Sequence, residues 1–306
     1  MLAACCLCVF LVSPAQQAIT EADALAAVKL ATNPSLKLAA AEDFIARFPN
    51  STARLAVAEL VGNEILKVKN GSVALALFER ARAIFTSDQE RELLKPVALE
   101  CYAMGNRPDD AFALSGELLA KSPDDLHVLV LMTQVGTDET RKKNRKYSDV
   151  SLQYGLKAIA LIESGNDNAY KPTLGQLYQQ TAILYLAAQN TAEAKSRLTR
   201  AAELSPQDPG NFALLGRVIN ADYVAQMKTY DAMPDGKWKE DERKRLESVL
   251  DSVIDAYARA AGLATGRAEY QALLQQVIPD LATYYKHRYK STNGLRQLID
   301  RYRPKL

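Results

Sequence analysis

From Thr20 onward, apolar residues recur at intervals of three and four, the period of a helix with one buried face. Strict apolar/polar alternation, the mark of a half-buried strand, is almost absent. The apolar runs are punctuated by turn formers: Asn33-Pro34, Pro49-Asn50-Ser51, Asn70-Gly71, Gly105-Asn106-Arg107-Pro108, Ser122-Pro123, Gln189-Asn190 and Ser205-Pro206. Short connections between helices of this length force neighbours to run antiparallel. The pattern therefore predicts an all-α chain of about seven helical hairpins between Thr20 and Leu306, with atypical first and last hairpins as terminal caps.

The hairpins repeat. Tyr178, Ala182 and Tyr185 are followed 34 residues later by Phe212, Gly216 and Ile219, and Ala194, Leu198, Ala201 and Pro206 complete the first of these units. Tyr102, Ala111 and Pro123 stand in the same relative positions as Tyr185, Ala194 and Pro206. The segment resembles a tetratricopeptide (TPR) repeat, in which small residues let two helices approach closely and a proline ends the unit. The stretch Phe44 to Ser51 is similar to a repeat end in outer-membrane assembly lipoproteins, with a new helix capped at Ser51 or Thr52. The resemblance implies a right-handed superhelical solenoid that binds rather than catalyses. Two connections look long for such a unit, Thr137 to Tyr147 and Thr229 to Glu240, and are expected as insertions. The domain expectation is a leader over 1–15 and one repeat domain over 16–306, closed by a capping hairpin over 266–306.

Composition narrows the partner. At 48% hydrophobic and 24% charged residues the chain can bury a large core, and a formal net charge of +2 gives no global attraction to a polyanion. No nucleic-acid partner is expected. Three of the four cysteines, Cys5, Cys6 and Cys8, crowd an uncharged apolar start that ends in Ser13-Pro14-Ala15, leaving Cys101 alone in the rest. That excludes an internal disulfide framework and fits a signal peptide, hence an exported bacterial protein, periplasmic or secreted. Leu2-Ala3-Ala4-Cys5 leaves lipidation at Cys5 as an alternative. No later run is long enough to cross a membrane.

Catalytic motifs are missing: there is no glycine-rich phosphate loop, no GxSxG and no HExxH. His127 reads as a packed or capping residue at a helix start and His287 as a surface residue. Asp109-Asp110 and Asp124-Asp125 each follow a proline and read as helix caps, while Asn166-Asp167-Asn168 reads as a turn without calcium-loop spacing. No enzyme activity, cofactor or metal is expected.

Binding positions are implied by the resemblance, whose groove is lined by first helices. They fall on Gln176, Gln179 and Ile183 in one unit, on Ala213, Arg217 and Asn220 in the next, and on Gln134 and Gln271 beyond these. Amides that both donate and accept suit a peptide backbone, whereas Gln179 and Ile183 do not fit the lysines and asparagines of a terminal-carboxylate clamp. Two further candidates interrupt the repeat. The run Arg141, Lys142, Lys143, Arg145, Lys146 offers contact with an anionic surface or is a solvated loop, and Trp238 is a partner contact or folds back as a plug. The basic, aromatic C-terminal segment from Tyr284 to Leu306 reads as the polar outer face of a cap. The expected function is a protein-interaction scaffold, working through the groove or the edge bearing the insertions. The alternatives are a structural adaptor of an envelope assembly and an enzyme with an unrecognised site.

Overall fold

The structure is a computed structural model, and it describes residues 19–165 and 169–304. The leader with Cys5, Cys6 and Cys8, the turn Asn166-Asp167-Asn168 and Lys305 lie outside the described residues. Among the described residues the chain forms fourteen α-helices and no strand. It divides into two compact units, 1–114 and 115–306, with the division falling inside the helix Pro108–Lys121.

The first unit holds α1 (Glu21–Leu30), α2 (Pro34–Arg47), α3 (Arg54–Ile65), α4 (Gly71–Ile84), α5 (Asp88–Met104) and the start of α6 (Pro108–Lys121). The turn formers of the sequence become its caps. Asn33, Asn70 and Ser87 each accept a backbone N–H of the helix that follows, and Glu90 returns a bond to Ser87 to close a capping box. The α3 cap differs from expectation: the helix starts at Arg54, Ser51 Oγ accepts Ala53 N–H at 3.0 Å, and Ser51 donates to Glu21. Leu38, Phe44, Val57, Ala58, Ala74 and Ala81 are fully enclosed, and Phe78 meets Tyr102 edge-on at 5.6 Å.

The second unit holds α7 (Leu126–Arg141), α8 (Ser148–Ser164), α9 (Leu174–Ala187), α10 (Thr191–Leu204), α11 (Pro209–Asp231), α12 (Lys237–Ala264), α13 (Gln271–Tyr289) and α14 (Leu295–Arg301). Asp125, Asn190 and Asp208 cap α7, α10 and α11. The repeat positions sit where close approach needs them. Ala182, Ala194, Leu198 and Ala201 have no exposed surface, and a Cβ on Gly216 would stand 2.7 Å from the ring of Tyr257 on α12. Replacing Ala194 with Phe is expected to cost about 1–3 kcal/mol by overpacking the α9–α10 pair. A thermal melt unchanged by Ala194→Phe would refute that placement.

Three expectations about connections are corrected. The stretch 137–147 is mostly not an insertion, because α7 continues through Arg141 and only 142–147 connects it to α8. The threonines that looked loop-like bond back along the helix, Thr137 to the carbonyl of Thr133 at 2.8 Å and Thr140 to that of Gly136 at 2.7 Å. The stretch 229–240 likewise shortens to 232–236, because α11 runs to Asp231 and α12 begins at Lys237. At the C-terminus α13 and α14 do not close on one another as the expected hairpin; both pack against α12.

Candidate functional site

The expected groove positions separate in the structure. Gln176 and Arg217 are exposed, Ile183 and Asn220 are half-buried, and Ala213 is buried in the core. Gln179 is engaged within the fold. Its side-chain N–H group donates to Asn211 Oδ1 at 2.7 Å and to Asp208 Oδ2 at 3.1 Å, which ties α9 to the cap of α11. It is a joint between repeats, not an amide held out for a peptide. Gln134 and Gln271 are exposed.

Two of the five charges of the basic run are matched by its own helix. Arg141 pairs with Asp138 at 2.8 Å, Lys142 with Glu139 at 2.8 Å, and the Lys146 ammonium lies 5.1 Å from the centre of the Tyr147 ring. Lys143 is exposed, with a φ of 70°. Pairing of this kind weakens any pull on an outside anion. Trp238, by contrast, is 83% exposed at the start of α12, so it does not fold back as a plug.

A cleft with well-defined walls lies elsewhere in the second unit. Helices α10 and α12 both pack on α11 and leave between them a cleft of about 710 Å³. Phe212, Leu215 and Ile219 of α11 form its floor. These residues face roughly 130° away around α11 from Ala213, Arg217 and Asn220, given the helical turn of about 100° per residue. One wall is Thr199, Ala202 and Glu203 of α10. The other is a stripe on α12 at helical spacing: Ser248, Asp251, Ser252, Asp255, Ala256 and Arg259.

The C-terminal segment holds that second wall in place. Arg288 grips Asp251 at 2.9 and 3.2 Å, and Tyr289 donates to the same carboxylate at 3.0 Å. Asp255 is held by Arg259 at 2.8 Å and by the Tyr302 hydroxyl. The basic and aromatic residues Arg288, Tyr289 and Tyr302 of the tail thus bond to α12, where the sequence predicts a polar outer face. A smaller groove of about 590 Å³ in the first unit runs between α3 and α5, with Leu55 and Leu93 beside Glu59 and Glu92. That pair are first helices, where the sequence placed the binding surface.

Chemistry is sparse at every one of these places. Among the described residues no three His, Cys, Asp or Glu side chains are placed to share a metal ion, and no helix is long and apolar enough to cross a membrane. Cys101 is buried and burial pushes its thiol up to about 12, which keeps it protonated and unreactive. His127 is exposed at the start of α7, whose cap is made by Asp125 instead, and His287 is exposed near the end of α13.

Antiparallel helix pairs, small residues at their crossings and a 34-residue echo of the pattern define the arrangement. The fold is TPR-like. No protein-family model matches the chain, and no curated protein does. Among solved structures, a monomeric IFIT1 mutant with m7Gppp-AAAA is similar over 89% of this chain and 56% of its own, at 15% identity and a TM-score of 0.42. A second IFIT1 mutant, with Gppp-AAAA, gives the same coverage at 16% identity and 0.42. PilF of Pseudomonas aeruginosa is similar over 81% of this chain and 97% of its own, at 14% identity and 0.39. The chain spans little more than half the length of the IFIT1 structures. Likeness at this distance carries nothing about ligands.

Proposed function

We propose that this TPR-like chain is a non-catalytic scaffold that holds a helical segment of a protein partner in the cleft between α10 and α12. The observation that carries the reading is the cleft itself, about 710 Å³ with an apolar floor of Phe212, Leu215 and Ile219 between two helical rails. An amphipathic helix laid in such a groove buries its apolar face on the floor and meets hydroxyls and carboxylates at the rim. The small side chains Ser248, Ser252 and Ala256 along α12 permit the close approach that helix packing requires.

The test uses the full chain with a photoreactive residue at Ser252, which is exposed in the cleft, or at Gln176 on the first-helix face. The expected result is one dominant adduct from Ser252, lost when Leu215→Glu puts a charge on the floor. Adducts from Gln176 alone would move the surface to the first helices, and adducts from neither would end the scaffold reading. We also propose export, on the apolar start that ends in Ser13-Pro14-Ala15. Mature protein recovered outside the cytoplasm and beginning near Gln16 is expected; an intact Met1 on cytoplasmic protein would overturn it.

A further inference from the structure

A second, smaller cavity of the second unit lies between α11, α12 and the end of α13, with a volume of about 320 Å³. Its body is apolar and aromatic: Tyr223, Met227 and Tyr230 from α11, and Leu246 and Leu250 from α12. Its rim is cationic. Arg243, Arg288 and Lys290 stand there with His287, against Glu247 as the one carboxylate of the lining.

The rim charges are of two kinds. Glu247 is shared between the guanidiniums, bonded to Arg243 and lying 3.5 Å from Arg288, while Glu240 and Asp251 hold the same two arginines from outside the lining. The arginines are therefore fixed in place, with much of their charge matched. Lys290 is not: it makes no ion pair among the described residues, and it is exposed. It also sits in the left-handed region, at φ 57°, as the residue that ends α13. A lysine in that conformation is strained where glycine would not be.

We infer that this cavity binds a small amphiphilic carboxylate, its apolar body among Met227, Leu246 and Leu250 and its head group at Lys290 and His287. The volume lies at the lower end of the range for small-molecule sites, and apolar walls with a few convergent polar groups are their usual composition. The guanidiniums of Arg243 and Arg288, already held by Glu240, Glu247 and Asp251, fix the rim and leave Lys290 as its unmatched charge. This site shares no lining residue with the α10–α12 cleft and stands independently of the scaffold reading.

Calorimetric titration of the full chain tests it, with octanoate below its micellar concentration, and with octanol and acetate as the uncharged and the bodiless comparisons. Octanoate is expected to bind at least tenfold more tightly than either. Lys290→Gly removes the charge and relieves the backbone, so its Tm is expected to hold or rise while octanoate affinity falls about tenfold, the effect of one charge-assisted bond. Lys290→Asn, which also tolerates the left-handed region, is expected to behave alike. Octanol binding as tightly as octanoate, or octanoate affinity unchanged in both Lys290 variants, would overturn the site.

Discussion

Arg54→Ala is expected to destabilise the first unit by about 3–5 kcal/mol at neutral pH, the usual cost of leaving one member of a buried ion pair alone. The Glu90 side chain is 1% exposed, and Arg54 reaches it with two bonds, at 2.7 and 3.1 Å. Burial by itself would raise the Glu90 pKa. The side-chain bonds from Arg54, with the backbone and hydroxyl bonds of Ser87, outweigh burial and leave it below the ordinary carboxylate value. A carboxyl depressed in the folded state stabilises it above the unfolded pKa of about 4.3, and that contribution disappears as pH falls through the folded value. Without Arg54 there is less to lose. The stability gap between wild type and Arg54→Ala should therefore narrow from pH 7 to pH 3 in denaturant titrations. An equal gap at both pH values would show that Arg54 acts through packing and its bonds to the carbonyls of Pro49 and Ile84, and not through Glu90. The double variant Arg54→Met, Glu90→Leu is expected to recover most of the loss, less about 1 kcal/mol for the broken Ser87 capping box.

The contrast between that pair and the binding cleft shows which features were legible in the chain. Helix count, hairpin order and the alanines at the crossings follow from local spacing, and the structure places Ala182, Ala194 and Ala201 without exposed surface. The Asn, Asp and Ser caps are equally local. Helix length was misread where threonines satisfy their hydroxyls on the preceding turn, as Thr137 and Thr140 do. Those residues look the same in a loop as in a helix. The expected groove amides went astray for another reason: the bonds from Gln179 to Asp208 and Asn211 span 29 and 32 residues. No local pattern reveals that an amide is already engaged. The cleft wall was readable in part, since Ser248, Ser252 and Asp255 keep helical spacing on one face. Read alone, that face is an ordinary solvated surface. What makes it a wall is the grip of Arg288, Tyr289 and Tyr302 from 37 to 47 residues further along.

The crossing of α11 and α12 supports the sharpest packing test. Tyr257 is almost completely enclosed, stacked on Tyr284 with ring centres 6.4 Å apart, and its ring also lies against Gly216. Tyr257→Ala is expected to cost about 3–5 kcal/mol, as other buried aromatic truncations do. Gly216→Ala alone meets two opposed effects. Alanine is favoured over glycine inside a helix by about 1 kcal/mol, but its Cβ would stand 2.7 and 2.8 Å from two ring carbons that have nowhere to move. Overpacking of that kind costs about 1–3 kcal/mol, so the substitution should be neutral to destabilising in the wild type. Once Tyr257 is truncated the clash is gone and the helix preference remains. Gly216→Ala should then stabilise the Tyr257→Ala background, giving a coupling of at least about 1 kcal/mol in a double-mutant cycle. The same small effect in both backgrounds would mean that the ring is not what demands glycine here. Ala182, one repeat earlier, serves as the reference: there the equivalent crossing is closed by Leu198 and Val218, and a Cβ already fits.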